Sequence, residues 1–388
     1  MKERSSNRYF QELELIMIIA HARQARHMEM LSRLMIRAHC QSARTESQED
    51  LHELRRDLWY VAALNPGQLE EFLELANANH VIVRAMAVLQ NAANLENEKG
   101  VAEWCERSLS AERARIARAT EMLFRICNVL EQQGCRVAVI KSLDHWPDLG
   151  SDLDLYTIAD ASRVERVMAT EFQAHPVERS WGDRLAQKWN YRVPGLPELV
   201  EIHVQFLGQT GEHAELARRV IDRRTVKTSD GRTFQVAAAE ERIVISALQR
   251  VYRHFYFRLC DMVDNAQLLQ SGGVDFGELK RAAVSAGIWP GVATFLCLIQ
   301  NYIQSRGGVM ALPDDVITAA YSRRSQVQFG AGFLRVSKIT AAELYGSQLL
   351  QAGMRRDFRA LLRLPLLPPL AVSALVAHSV TGNDKGIW

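Results

Sequence analysis

An excess of either charge is what this sequence lacks first: 47 Lys and Arg stand against 45 Asp and Glu in 388 residues, a formal net charge of +2. No global field exists to hold a polyanion, so nucleic acid is not a favoured partner, and a charged ligand must be held by local groups. Cysteine is sparse as well. Cys40, Cys105, Cys127, Cys135, Cys260 and Cys297 show no CxxC or metal-ligand spacing, which argues against a disulfide framework and fits reduced thiols in a cytoplasmic protein. No GxxxxGK[ST] loop is present, which argues against P-loop kinase chemistry. Long apolar runs are missing too. Leu15 to Ala20 is too short for a signal segment and follows charged residues. Leu361 to Val380 is apolar but contains Arg363, Pro365, Pro368 and Pro369, so it reads as a packed or oligomer-forming tail and not a membrane span. No internal repeat is detectable. With 48% hydrophobic and 24% charged residues, the chain is an ordinary globular protein long enough for two or three domains.

Against this background one segment is informative: Val139 to Tyr156, VIKSLDHWPDLGSDLDLY. A Gly150-Ser151 turn delivers Asp152 and Asp154 onto a strand, and the two-residue period puts both carboxylates on one face while Leu153 and Leu155 enter a core. At about 5 Å and an effective dielectric of about 20, two carboxylates repel by roughly 3 kcal/mol, so the face needs a cation. Hard oxygen donors of this kind suit Mg²⁺ with the phosphates of a nucleotide. Leu199 to Phe206 supplies a third acid. There Val200, Ile202, Val204 and Phe206 form an apolar face, which leaves Glu201, His203 and Gln205 together on the other. The preceding KWNYRV is a strand candidate, and Pro194-Gly195-Leu196-Pro197 reads as the loop of a hairpin.

The order of these pieces resembles the signature of the nucleotidyltransferase superfamily related to DNA polymerase β: a hydrophobic strand, Gly followed by Gly or Ser, a short spacer, then acid, apolar, acid. Ile140-Lys141-Ser142 with Asp152-Leu153-Asp154 carries the match. Lys141 stands where the commonest pattern has Gly, and this brings the chain closer to one branch, the uncharacterised bacterial nucleotidyltransferase family, whose strand ends in Leu-Lys-Gly. Glu201-Ile202-His203 resembles that family's late acid-apolar-His triplet, with Glu where Asp is commoner. The resemblance implies an α+β fold, a small mixed-sheet core flanked by N- and C-terminal helical regions, divided at 1–110, 111–235 and 236–388. It implies Mg²⁺ held by Asp152, Asp154 and Glu201, which are also the catalytic set, and an NTP, expected to be ATP, bound by Lys141, Ser142, Ser151, His203 and Arg258. A nucleoside monophosphate would pass to an unidentified small-molecule, peptide or protein acceptor with release of pyrophosphate. The alternative is a catalytically inactive nucleotide-binding or regulatory protein of the same fold.

Outside the core the pattern is helical. A helix is expected from about Ser110 to Gln133, and another from Ala161 to Phe172. Asn79-His80-Val81 resembles the family's N-terminal helical region, with His80 read as a packing or capping residue. The Asp230-Gly231 turn marks the end of the core. Beyond it, Glu240 to Leu269 reads as one helix on which Arg250, His254, Arg258, Asp261 and Asn265 form a polar stripe. His254, Arg258-Leu259 and Asp264 to Leu269 resemble the family in this region as well, and the stripe is expected to face a cleft or a partner.

Overall fold

The computed structural model describes residues 19–37, 48–321 and 326–381; Cys40 and the first part of the Leu15 to Ala20 run lie outside them. Five helices come first: α1 (19–37), α2 (Gln48–Ala62), α3 (Pro66–Ala78), α4 (Ile82–Leu95) and α5 (Lys99–Gln132). The core follows with β1 (Val137–Val139), β2 (Asp152–Thr157), α6 (Ala161–Phe172), β3 (His175–Pro176), α7 (Trp181–Ala186), β4 (Lys188–Arg192), β5 (Leu199–Val204), α8 (Glu215–Asp222), β6 (Thr225–Ser229) and β7 (Arg232–Val236). The C-terminal part contains α9 (Ala239–Gln249), a π-helical turn (Arg250–His254), β8 (Tyr256–Phe257), α10 (Leu259–Gln270), α11 (Phe276–Ser285), α12 (Trp289–Gln304), α13 (Asp314–Ala319), β9 (Gln328–Gly330), β10 (Phe333–Arg335), α14 (Lys338–Met354), α15 (Phe358–Arg363) and α16 (Leu367–Thr381). Among the described residues no helix is long and apolar enough to cross a membrane, and no described cysteine forms a disulfide.

The seven core strands form one mixed sheet in the order β3-β4-β5-β2-β1-β7-β6, the α+β architecture expected. β2 runs parallel to β5 and antiparallel to β1. Leu153, Leu155, Val200 and Ile202 are fully buried on one face, as the period-two pattern requires. Helix α5 starts at Lys99, eleven residues before the expected Ser110. Its buried positions Val101, Cys105, Leu109, Ile116, Leu123, Ile126 and Leu130 keep a helical period over the longer span, and Phe124 meets Phe234 of β7 edge-on, with ring centroids 5.8 Å apart.

Three expectations are corrected. Asp230-Gly231 does not end the core; it turns a hairpin whose second strand, β7, pairs in parallel with β1. Glu240 to Leu269 is not one helix. Phe255 adopts a left-handed backbone (φ 56°), and the chain straightens into β8, which pairs with β10 in a second, three-stranded sheet. Pairing with a strand some eighty residues on outweighs local helix propensity here. Gln205 departs from the expected face as well, because β5 stops at Val204 and Gln205 turns with φ 64°.

Within the helical region, His27 of α1 is completely buried beside Tyr60 and Phe72, and neither ring nitrogen has a hydrogen-bond partner. Burial, aided by Arg23 and Arg26 against the pull of Glu71, lowers its pKa to about 4. The unfolded chain takes this proton near pH 6.5 and the folded chain only near 4, so stability is lost as pH falls through that window. The slope approaches about 1.4 kcal/mol per pH unit. His27→Leu should remove this contribution, giving urea midpoints that decline less between pH 6.5 and 4 than those of the wild type; parallel declines would show that the ring is not held neutral.

Candidate functional site

The parallel register of β2 on β5 sets Asp154 directly opposite Glu201 and Tyr156 opposite His203. Because side chains alternate along each strand, Asp152, Asp154, Glu201 and His203 share the face turned away from Leu153 and Ile202. Asp154, Glu201 and His203 each offer a ligand atom within 4.8 Å of the others. Asp152 lines the same cleft but stands outside that set. The antiparallel neighbour β4 adds a residue that the sequence reading missed: Lys188 pairs with His203, and its Nζ lies 2.9 Å from Glu201 Oε2 and 2.9 Å from Asp183 Oδ1. Its signal was the alternation of KWNYR, applied to a cation and not only to the apolar positions.

Lys141 is the centre of the arrangement. Its ammonium contacts Asp154 and sits 3.3 Å from Glu201 Oε1. The backbone there makes a three-residue turn in which Ser142 N–H donates to Ile140 O at 2.6 Å, with Lys141 at φ 63°. That left-handed conformation is one that glycine adopts at no steric cost. A lysine there costs on the order of 1 kcal/mol or more, so its charge must return at least that much. Ser142, nearly fully buried, accepts from Asp154 N–H at 2.7 Å and donates to Asp152 O at 3.3 Å. Its hydroxyl therefore splints β2 to the turn. Ser151 lines the cleft and donates to Asp152 Oδ2 at 3.3 Å.

Burial dominates the electrostatics. It raises Asp154 well above the usual carboxylate range, against the opposing pull of Lys141 and with help from Glu201. Glu201 is buried as well, yet Lys141, the His203 hydrogen bond and Lys188 together hold it well below that range. For Lys141, desolvation works against the charge, but Asp154 and Glu201 outweigh it and hold the ammonium protonated. Asp152 is raised by burial and then by Glu201. Burial lowers His203 to about 4 despite its 2.8 Å contact with Glu201. A neutral ring beside an ionised Glu201 must donate from Nε2, which leaves Nδ1, buried without a partner, as a free acceptor.

The loop from Leu143 to Ser151 is clamped from several sides. Asp148, fully buried, accepts from Val83 N–H and Arg84 of α4, both at 2.6 Å. Arg115 of α5 donates to Leu149 O at 2.9 Å and Gly150 O at 3.3 Å. Arg242 of α9 pairs with Asp144 at 2.6 Å, and Lys227 of β6 donates to Leu143 O.

The opposite wall comes from the π-helical turn and the start of α10. Arg250, Arg253, His254 and Arg258 line a cleft of about 210 Å³ with the sheet residues, together with Gln249, His80 and His145. Arg258 and Lys141 thus meet in one cleft, as expected, although the stripe is not a single helix face. Arg250 is fixed by Asp261 at 2.7 Å in a fully buried pair. Among the described residues Arg258 Nε is buried without a hydrogen-bond partner, and so is Arg250 Nη1. Five basic side chains, Lys141, Lys188, Arg250, Arg253 and Arg258, face three acids there, a local excess that suits phosphate groups. His254 is pushed far down by burial and then by Arg253, Arg250 and Arg258, so it adds no charge. A second, narrow chamber of about 50 Å³ adjoins the cleft through Lys141, Gln249 and Arg253 and is lined by Leu207, Ile245, Leu248, Tyr252 and Leu367. Arg363 of the tail is no bystander. It donates to Leu185 O at 2.7 Å and to Thr210 O, while Arg359 donates to Gly211 O at 2.7 Å, so α15 holds the loop behind that chamber.

Replacing the central cation gives a test of this geometry. Lys141→Met should destabilise the fold by about 3–5 kcal/mol at pH 8 by leaving buried carboxylates uncompensated. In the variant the folded Asp154 carboxyl is raised further above its unfolded value, so the deficit shrinks as pH falls and the proton is taken up. Denaturant titrations at pH 8 and pH 5 that gave equal deficits would remove Lys141 from the carboxylate cluster.

The family described as uncharacterised nucleotidyltransferase matches residues 65–304, more than half of the chain. No curated protein matches. Among solved structures, an antigenic nucleotidyltransferase-like protein from Paracoccidioides brasiliensis aligns with 14% identity and a TM-score of 0.31, covering 51% of this chain and 90% of that one.

Proposed function

Because this chain belongs to the uncharacterised nucleotidyltransferase family, we propose that it transfers a nucleoside monophosphate from an NTP to an acceptor and releases pyrophosphate. The observation that carries the reading is the cleft in which Asp152, Asp154 and Glu201 face Lys141, Arg253 and Arg258. The acceptor oxygen attacks the α-phosphorus, the bond from that phosphorus to the bridging oxygen breaks, and pyrophosphate leaves with the electron pair. A carboxylate of this face takes the acceptor's proton. Lys141 and Arg258 meet the charge that grows on the leaving group, in a desolvated site where fixed cations act strongly. The adjoining apolar chamber takes the uncharged part of the ligand.

Three hard oxygen donors on one sheet face are of the kind that fits Mg²⁺. Asp152, Asp154 and Glu201 would hold the ion, which when bound supplies charge neutralisation of the triphosphate and polarisation of the α-phosphate. A second reading, a nucleotide-binding regulator without turnover, is favoured by one observation: Lys141 already lies against the acids and the Ser142 hydroxyl is taken up by β2.

Incubation with α-labelled ATP, Mg²⁺ and a cell extract distinguishes the two. Label transfer with stoichiometric pyrophosphate release supports the transferase; ATP binding without pyrophosphate supports the regulator. Asp154→Asn should reduce turnover by at least about 10²-fold, measured at a temperature where circular dichroism shows the variant still folded, because the substitution also removes a buried partner of Lys141. Arg258→Ala should weaken NTP binding by more than about tenfold, the loss of a charge-assisted contact of about 1.5–3 kcal/mol. Wild-type transfer by Asp154→Asn would end the proposed role of that residue.

A further inference from the structure

His80, His145 and Cys260 come from three separate segments: the turn between α3 and α4, the clamped loop, and the first turn of α10. Their ligand atoms all lie within 4.8 Å of one another. His145 Nδ1 is 2.7 Å from Asp264 Oδ2, and Arg84 in turn holds Asp264. This fixes the ring so that Nε2 faces Cys260 Sγ at 3.6 Å. A carboxylate behind a histidine is the usual way a metal-binding ring is oriented. His80 Nδ1 is buried with no partner among the described residues, although a buried ring nitrogen ordinarily finds one. The His80 ring, 5.6 Å from that of His145, fits only because residue 150 is glycine, whose added Cβ would fall 2.8 Å from His80 Cε1. The frame is rigid: Asn79, fully buried, accepts from Leu259 N–H at 2.9 Å through its side chain and from Cys260 N–H at 3.3 Å through its carbonyl.

We infer that His80, His145 and Cys260 form a binding site for a borderline-soft divalent cation, Zn²⁺ being the ion of best fit, separate from the carboxylate cluster. With Zn–S near 2.3 Å and Zn–N near 2.0–2.1 Å, a tetrahedral ion holds sulfur and nitrogen about 3.5 Å apart, and His145 and Cys260 already stand at that spacing. Nitrogen and sulfur donors select against Mg²⁺. The ion displaces the thiol proton of Cys260 and leaves a fourth position for water or a ligand atom. His80 and His145 line the nucleotide cleft, so the ion borders it.

The full-length protein, stripped of metal and dialysed, is titrated with Zn²⁺ and, separately, with Co²⁺. One tightly held Zn²⁺ per chain is expected, together with thiolate-to-cobalt charge-transfer absorption in the Co²⁺ form, which reports the ligand without any variant. Cys260→Ser should abolish that absorption and His145→Ala should release the zinc, while Asp264→Asn weakens binding by about 10–100-fold. Asp154→Asn should keep both signals. Absence of the thiolate band in the wild type overturns the site, whether or not the variants fold. Zinc retained by Cys260→Ser but lost from Asp154→Asn also overturns it, by assigning the ion to the carboxylates.

Discussion

Three carboxylates on one desolvated sheet face are the constraint around which this protein is arranged. The β2–β5 register makes their proximity unavoidable, since Asp154 and Glu201 are Cα partners on adjacent parallel strands. Like charges so close repel by a few kcal/mol even at an effective dielectric near 20, and burial adds to the cost. Lys141 and Lys188 offset that cost from opposite sides. The compensation reaches back into the backbone. Lys141 can reach both acids only from the end of β1, where the chain turns through a left-handed residue, and the turn is held closed by a serine whose hydroxyl is bonded to β2 on both sides. The loop beyond is fixed by cations from four further elements, because a loose loop would let water in and the acids drift apart.

Much of this was legible in the sequence because strand chemistry is periodic. Acid-apolar-acid in β2 and acid-apolar-His in β5 specify which residues share a face, whatever else the chain does. The hydroxyl of Ser142 was legible only as a position; whether it points to a ligand or back into the strand depends on a turn geometry that no spacing records. Lys188 was hidden for a different reason. Its strand was visible, but its place in the site comes from pairing across β5, which is a tertiary fact.

The basic wall shows how a local pattern can lead to a correct grouping for a wrong reason. Spacings of four and three between Arg250, His254, Arg258 and Asp261 read as one helix face. The chain instead widens into a π-helical turn, reverses at Phe255 and makes a short strand. No Gly or Pro marks the break; what drives it is pairing with β10 in a segment far along the chain. Arg250 and Asp261 still meet, through space across the reversal and not along a helix. Arg253, which the helical period excluded, enters the cleft.

A near-neutral chain can therefore present a strongly charged site, and the division of labour among its cations explains how. Arg250 is spent on Asp261, and Lys141 and Lys188 are largely spent on the acids. Burial and the neighbouring arginines keep His254 neutral. Arg258 Nε and Arg250 Nη1 have no hydrogen-bond partner among the described residues, and a desolvated, unpaired guanidinium nitrogen is costly to the folded chain. An anion in the cleft would relieve the cost and gain a charge-assisted bond in the same step. The acids disfavour an anion unless a cation accompanies it. On the proposed function, a metal-bound polyphosphate would bring both charges to the cleft together.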